Sequence, residues 1–306
     1  MSFAGVALGC GNFGGIGSAP EFFGQGIDDE TAFEIMDTAW SNGLTWFDTA
    51  DAYGGGTSER LIGQWRAERA PDGLVLTTKV FHSTRGEVGD IGLAPDRIRR
   101  QLEGSLERLG VDRVDLYLAH EPDADVPLAE TAAVFEQLRA EGLIGAWGLS
   151  NYDAAGIREA LQVAQPALVQ NSFSLLDRGD ERDVIPLCAE RGIAYTPFGP
   201  LAGGWLTGKY RRDQAFPDGS RMTQRPGPYE HLRTDAVFDG LDRLAEEARA
   251  RGVEMATLAF AWVLAHPGVS GAVCGPMRPE QLEPILAARE LALTGAEHQQ
   301  IGGLFA

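Results

Sequence analysis

Eight short apolar runs rich in β-branched residues recur along this 306-residue chain, and segments of helical period separate them. The runs cover residues 3–8, 44–47, 74–80, 114–119, 144–149, 167–169, 193–195 and 269–273. They are apolar nearly throughout instead of alternating, the pattern of strands covered on both faces in a parallel sheet. Parallel neighbours need a crossover, and the intervening segments supply helices for it. Residues 28–42 open with acidic side chains, carry Ala32, Phe33, Met36, Ala39 and Trp40 on one side, and stop at Gly43. Residues 95–109 start at Pro95, space Ile98, Leu102, Leu106 and Leu109 along a face, and end at Gly110. Segments 128–140, 154–163, 181–191 and 279–290 follow the same plan. Eight such units over about 300 residues predict a (β/α)8 TIM barrel. The surplus length falls after the seventh strand, where residues 199–232 are dense in Gly, Pro, Arg and polar side chains, with two further helical segments before residue 269. An insertion of that length predicts a cover over an active site. No low-complexity tract or shift in composition divides the chain, so residues 1–306 are expected to form one barrel domain.

Charge narrows the range of partners. Asp+Glu 44 against Lys+Arg 26 gives a formal net charge of -18, and the longest basic runs are pairs such as Arg99-Arg100 and Arg211-Arg212. Such a chain repels a phosphate backbone, so nucleic acid is not an expected partner. No apolar run reaches the roughly 18–20 residues of a membrane helix. The first nine residues lack Lys and Arg, which argues against a secretory leader and for a cytoplasmic address. Cys10, Cys188 and Cys274 are too scattered for a disulfide framework or a CxxC metal site, so no metal is expected. Of the 26 cationic side chains 24 are Arg, and Lys79 and Lys209 are the two exceptions. Either they are accidents of composition or they mark places where a compact ammonium is wanted.

Gly9-Cys10-Gly11-Asn12-Phe13-Gly14 matches the GxGxxG pattern of a dinucleotide-binding Rossmann turn. That site requires a helix to begin inside the glycines so that its N-terminus meets the pyrophosphate. Gly15-Ile16-Gly17-Ser18-Ala19-Pro20 follows instead and cannot sustain a helix. The motif therefore reads as a loop leaving the first barrel strand, with Gly11, Asn12 and Phe13 available to a ligand at the barrel mouth.

In a TIM barrel the chemistry sits at the C-terminal ends of the strands. Those positions hold Asp48, Lys79, His120, Ser150 with Asn151, Gln170 with Asn171, and Tyr195. Any one alone could be an ordinary end-of-strand residue; six consecutive strands delivering such a group is the stronger signal. Tyr53 lies five residues beyond Asp48, ahead of three glycines that let the backbone turn sharply. A free phenol with a pKa near 10 is a poor proton donor at neutral pH, and a neighbouring ammonium, here Lys79, would lower it. Asp48 would fix Lys79 and His120 would orient a carbonyl. Ser150, Asn151 and Gln170 carry the donors and acceptors to grip a carboxamide, and Tyr195 offers a ring to stack on a heteroaromatic one. His82, His231, His266 and His298 show no metal spacing and read as structural or surface groups.

The segments Trp46-Phe47-Asp48-Thr49-Ala50-Asp51-Ala52-Tyr53-Gly54, Ser58-Glu59-Arg60-Leu61-Ile62-Gly63, Thr78-Lys79, Asp115-Leu116-Tyr117-Leu118-Ala119-His120 and Gly148-Leu149-Ser150-Asn151 together resemble the aldo-keto reductase superfamily. Residues 200–210, Pro200 through Gly208-Lys209-Tyr210, are similar to its bacterial branches, and the resemblance spans essentially the whole chain. It implies a barrel that binds NADP(H) in extended form without a Rossmann fold. It implies a tetrad of Asp48, Tyr53, Lys79 and His120, with Tyr53 as general acid in carbonyl reduction. Ser150, Asn151 and Gln170 would hold the carboxamide and Tyr195 would stack on the nicotinamide. Pro197, Gly199, Leu201, Lys209, Gly275, Arg278 and Gln281 would complete the cofactor groove.

One stretch departs from the family pattern. Many relatives carry an acidic-Asn pair for the adenine shortly after the last strand, where this chain has Pro284-Ile285. Arg278 can still serve a 2′-phosphate, so NADP(H) is the expected cofactor with NAD(H) as the alternative. Lys209, Arg211 and Arg212 are placed to close over the pyrophosphate or to form a solvated cluster. The expected activity is reduction of an aldehyde or ketone by NADPH. Its rivals are an NAD(P)-dependent sugar or alcohol dehydrogenase using the same site, and a nicotinamide-sensing regulatory subunit with little turnover, like the channel-associated members of this fold. Phe22, Phe81 and Trp147 are candidate walls of the substrate pocket, which the C-terminal residues 302–306 also help define. The sequence carries no signal for the particular carbonyl or alcohol substrate or for oligomeric state.

Overall fold

The computed structural model describes residues 3–305; Met1 and Ser2 of the N-terminal segment and Ala306 of the C-terminal stretch 302–306 lie outside the described residues. Eight parallel strands form the sheet: β1 Gly5–Gly9, β2 Trp46–Asp48, β3 Val75–Val80, β4 Val114–Ala119, β5 Ile144–Ser150, β6 Leu168–Gln170, β7 Ala194–Tyr195 and β8 Gly271–Cys274. Their order is β7-β6-β5-β4-β3-β2-β1-β8, and the Ser270 and Val273 N–H groups donate to the Tyr195 and Pro197 carbonyls at 2.8 Å each, bringing the two ends together. The result is the expected (β/α)8 barrel.

The helices are α1 Asp29–Ser41, α2 Thr57–Arg69, α3 Pro95–Leu109, α4 Leu128–Ala140, α5 Ala154–Ala160, α6 Val184–Arg191, α7 Arg221–Gln224, α8 Asp235–Arg251, α9 Met255–Leu264, α10 Glu283–Glu290 and α11 Gly295–Gly302. Helices α3 and α4 match their expected bounds. In α1, Asp28 caps the N-terminus by accepting from Thr31 N at 2.8 Å, so the expected first residue is a cap and not a helical position. Helix α5 stops early at Ala160, α6 begins late at Val184, and the segment after β8 is a 3-10 turn, Pro279–Leu282, running into α10. No helix begins in the Gly9–Gly14 segment; the first α-helix starts at Asp29, as the loop reading requires. Among the described residues no helix is long and apolar enough to cross a membrane.

Side-chain parity along the strands divides the core in two. Ala7, Trp46, Leu116, Leu118, Leu168 and Val273 fill the barrel interior, where Trp46 Nε1 donates to Thr77 Oγ1 at 2.7 Å. Residues of opposite parity, including Phe47, Tyr117, Trp147 and Tyr195, pack outward against the helices. The Ser58–Gly63 motif binds α2 to its surroundings: Ser58 Oγ donates to the Cys10 carbonyl at 3.0 Å, while the buried Glu59 accepts from Thr78 Oγ1 at 2.5 Å and from Arg108 Nε at 2.7 Å. A Cβ at Gly63 would lie 2.3 Å from the Arg108 carbonyl oxygen, so only glycine lets α2 and α3 approach this closely. The insertion after β7 folds back across the mouth and meets the β1–α1 loop, where Arg221 donates to Asn12 Oδ1 and Arg225 to the Ile16 carbonyl.

Candidate active site

Interior parity delivers Asp48, Lys79, His120, Ser150 and Gln170 to one end of the barrel, each two residues beyond an interior position of its own strand. Lys79 is 1% exposed, and its Nζ donates to Asp48 Oδ1 at 2.5 Å and to the Thr49 carbonyl at 2.9 Å. Its third neighbour is the Tyr53 hydroxyl at 3.4 Å. The other Asp48 oxygen accepts from Gln170 Nε2 at 2.8 Å, which fixes the carboxylate from the opposite side of the barrel. The His120 ring meets the Tyr53 ring edge-on, with centroids 5.6 Å apart. The structure thus brings Asp48, Tyr53, Lys79 and His120 into one contiguous group.

Electrostatics refine the expected roles. Burial is the largest influence on Lys79 and pulls its pKa down, but Asp48 and Tyr53 together hold it above the ordinary lysine value. Tyr53 runs against the expectation of a lowered pKa: crowding by protein pushes the phenol up and Asp48 adds to this, outweighing the downward pull of Lys79. His120 is held well below the usual histidine range by burial, with Lys79 and then His82 adding to it, so its imidazole is neutral at physiological pH. Its buried Nδ1 has no partner among the described residues.

A cavity of about 610 Å³ opens above this group, lined among others by Tyr53, His82, His120, Ser150, Asn151, Gln170, Phe198 and Arg225. Asn151, at φ +64°, spends its amide hydrogens on the His120 carbonyl at 2.9 Å, Glu121 Oε1 at 3.1 Å and Ser150 Oγ at 3.3 Å. Among the described residues the amide oxygens of Asn151 and Gln170 and the Ser150 hydroxyl hydrogen keep no protein partner, which suits a ligand carboxamide.

Five expected contacts are displaced. Tyr195 is fully buried on the outer face of the barrel, its ring against Phe173 and its hydroxyl donating to Asp180 Oδ2 at 2.8 Å, so it has no access to the cavity. The ring that lines the cavity is Phe198, three residues on and of interior parity. Trp147 faces outward for the same reason, stacked on Phe135 and bonded to Glu136, and does not wall the pocket. Phe13 is likewise fully buried in the core. Phe22 and Phe81 are partly buried beside the cavity without lining it; Phe22 carries the Arg225 guanidinium 5.5 Å above its ring. Gly11 packs against Tyr53, where a Cβ would lie 3.5 Å from the phenol ring.

Around the β8 end a second set gathers. Asn12 Nδ2 donates to the carbonyls of Gly275 and Pro276 at 3.2 and 3.3 Å, and Gln281 Oε1 accepts from Met277 N at 2.7 Å. Lys209 is held below the ordinary lysine value first by partial burial, then by the nearby charges of Arg221 and Arg278. Among the described residues none of these three cations has a carboxylate within 4.0 Å, although acids outnumber bases 44 to 26. Arg211 is exposed and Arg212 pairs with Asp235 and Asp239, which removes both from the expected phosphate cover. A triad of cations without carboxylate partners, connected to Phe198 by the Gly199–Leu201 turn, could hold the phosphates of an anionic ligand. Arg221 and Phe198 were not among the expected residues. The insertion hid the first, and a one-residue parity shift hid the second.

The chain matches the family model described as Aldo/keto reductase family over residues 6–305. It is 33% identical over 295 residues to an NADH-specific methylglyoxal reductase of Escherichia coli, covering 92% of this chain and 89% of that protein. It is 34% identical over 272 residues to a putative voltage-gated potassium channel subunit beta of Schizosaccharomyces pombe, covering 84% and 78%. The solved glycerol dehydrogenase AKR11B4 of Gluconobacter oxydans superimposes with a TM-score of 0.82 at 28% identity, over 98% of this chain and 90% of that one. This barrel, with its strand-end chemistry and its relatives described as a reductase and a dehydrogenase, belongs to the aldo/keto reductase family.

Proposed function

We propose that this protein reduces an aldehyde or ketone to the alcohol with NADPH, using Tyr53 as the general acid. The observation that carries the reading is the Lys79 ammonium, fixed by Asp48 at 2.5 Å and lying 3.4 Å from the Tyr53 hydroxyl at the floor of a cavity that His120 also lines. A bound reduced nicotinamide supplies the hydride that adds to the carbonyl carbon. Tyr53 gives its proton to the carbonyl oxygen and is left as phenolate, which the adjacent ammonium stabilises before solvent restores the proton. The upward shift of the phenol keeps it protonated until the substrate oxygen becomes basic. Neutral His120 orients that oxygen, and Gln170 and Thr49 keep Asp48 and Lys79 from turning away.

Lys209, Arg221 and Arg278 support NADP(H) over NAD(H), since a 2′-phosphate adds charge that three unpaired cations can meet. Comparing kcat/KM for NADPH and NADH tests this part. The Tyr53→Phe variant tests the rest: turnover should fall at least about 100-fold while coenzyme fluorescence titrations change little. Full activity in that variant would overturn the mechanism. The relatives described as channel beta subunits support a second reading, a coenzyme sensor, which tight coenzyme binding without turnover on a broad carbonyl panel would favour.

A further inference from the structure

Arg225 is the single permanent cation among the described residues lining the cavity. It comes from the insertion after β7, just past α7, and is half-buried. Its Nη1 donates to the Ile16 carbonyl at 3.3 Å, its guanidinium lies 5.5 Å above the Phe22 ring, and no carboxylate among the described residues comes within 4.0 Å. The backbone is shaped around it. Gly17, at φ +72°, would place a Cβ 2.9 Å from Arg225 Nη1, and the Gly17 carbonyl accepts from Gly54 N at 3.2 Å, next to Tyr53. The guanidinium is therefore seated in a notch made by Gly17, whose carbonyl is bonded to the residue that follows the proton donor.

The other charged groups on the cavity wall have partners of their own. Glu121 accepts from Asn151 at 3.1 Å and stands 3.9 Å from His82 Nε2, and burial draws its pKa up. Glu87 sits exposed on the rim, 3.9 Å from Arg85. His82 is pulled down to about 4 by burial, then by Arg225 and Arg97, and so adds no competing positive charge at neutral pH. Arg225 is thus the one permanent cation facing a space whose carboxylates are Glu121, hydrogen-bonded by Asn151, and Glu87 on the exposed rim.

We infer that the cavity selects carbonyl substrates bearing an anionic oxygen group, a carboxylate or a phosphate, with Arg225 as its counter-ion. The inference rests on the carbonyl-reductase reading and names its substrate class. An oxyanion can take two N–H groups of the guanidinium fork, an interaction that neutral aldehydes of the same size lack.

The test uses matched pairs on the full-length protein: 4-carboxybenzaldehyde against methyl 4-formylbenzoate, and glyceraldehyde 3-phosphate against glyceraldehyde. The wild type should favour the anionic member of at least one pair in kcat/KM, mainly through KM. Arg225→Gln should shrink that preference at least about tenfold, and Arg225→Lys, which keeps the charge but not the fork, should fall between the two. The ratio is read within one enzyme preparation, so a partly unfolded variant leaves it interpretable. Whichever pair shows the preference identifies the anionic group. Equal treatment of both members of both pairs by the wild type overturns the subsite. So does an Arg225→Gln variant that keeps the preference, including one that instead loses coenzyme affinity. Turnover of the neutral members alone sinks the subsite and spares carbonyl reduction. No turnover of any of the four with either coenzyme sinks the carbonyl-reduction reading itself.

Discussion

Lys79 occupies a space that admits no other cation. Its Nζ touches Asp48, the Thr49 carbonyl and the Tyr53 hydroxyl at once, in a setting 1% exposed to solvent. A guanidinium keeps the charge but spreads it over a plane too wide for that triangle. Lys79→Arg should therefore cut kcat at least about 100-fold and cost about 1–3 kcal/mol of stability through overpacking. Steady-state rates with thermal unfolding alongside would check both, and near-wild-type kcat would show that charge alone suffices. The scarcity of lysine, two residues against 24 arginines, made this position legible from the sequence, and so did its place at a strand end. The outward face of Tyr195 is not legible in the sequence, because polarity and position near a strand end say nothing about parity. A shift of one residue sends a side chain to the other face of the sheet, and Tyr195 and Trp147 both fall on the helix side. Counting forward by twos from Leu168 or Leu118 gives the correct face for Gln170 and His120, and the same count leads from Ala194 of β7 to Phe198.

At the scale of elements, the strands and the well-punctuated helices are readable, whereas α2, the four-residue α7 and α11 are not. Helix α3 has Pro95 at its start, Gly110 at its end and a clear apolar face, so its bounds were found from sequence. Helix α2 has no such stripe: it buries Ser58 and Glu59 as well as Leu61, Ile62 and Trp65, and it follows three glycines. Helix α11 spans only Gly295–Gly302 and owes its start to the Thr294–Glu297 capping box more than to any apolar period. Loop geometry was the least legible of all, because it depends on contacts between loops distant in sequence. The loops after β1 and β2 interlock through glycine: a Cβ on Gly15 would lie 2.6 Å from Gly54 Cα and 3.0 Å from Gly54 N. Gly15→Ala should push the Tyr53 loop away from its seat, lowering kcat and costing about 1–3 kcal/mol. Gly24→Ala is the control, since Gly24 sits at φ +76° with nothing within 4 Å of its Cβ position. That variant should bear only a backbone cost of about 1–2 kcal/mol and keep its turnover. Equal losses of kcat in the two variants would refute the interlock.

For the molecule as a whole, the net charge of -18 disfavours nucleic acid yet accompanies the coenzyme groove proposed above. The two are compatible because exposed charges are screened within about 8–10 Å in ordinary buffers. What a phosphate bound there would feel is the local set of Lys209, Arg221 and Arg278, two of them supplied by the insertion after β7 and one by the turn after β8. The insertion therefore does more than cover the mouth: it imports cations that the barrel strands themselves do not carry, and one of them, Arg221, is locked to the β1–α1 loop through Asn12. If Arg278 meets a 2′-phosphate, Arg278→Gln should reduce the kcat/KM preference for NADPH over NADH by about tenfold and leave NADH use nearly as before. Raising salt from about 0.05 to about 0.5 M should weaken NADPH more than NADH in the wild type, because only the former uses the extra charge contact. In Arg278→Gln the two coenzymes should then respond alike. A variant that keeps both the preference and its salt dependence would move the discriminating contact to Lys209 or Arg221, whose glutamine variants would show the loss instead. Equal loss for both coenzymes would mean that the cation serves the pyrophosphate they share.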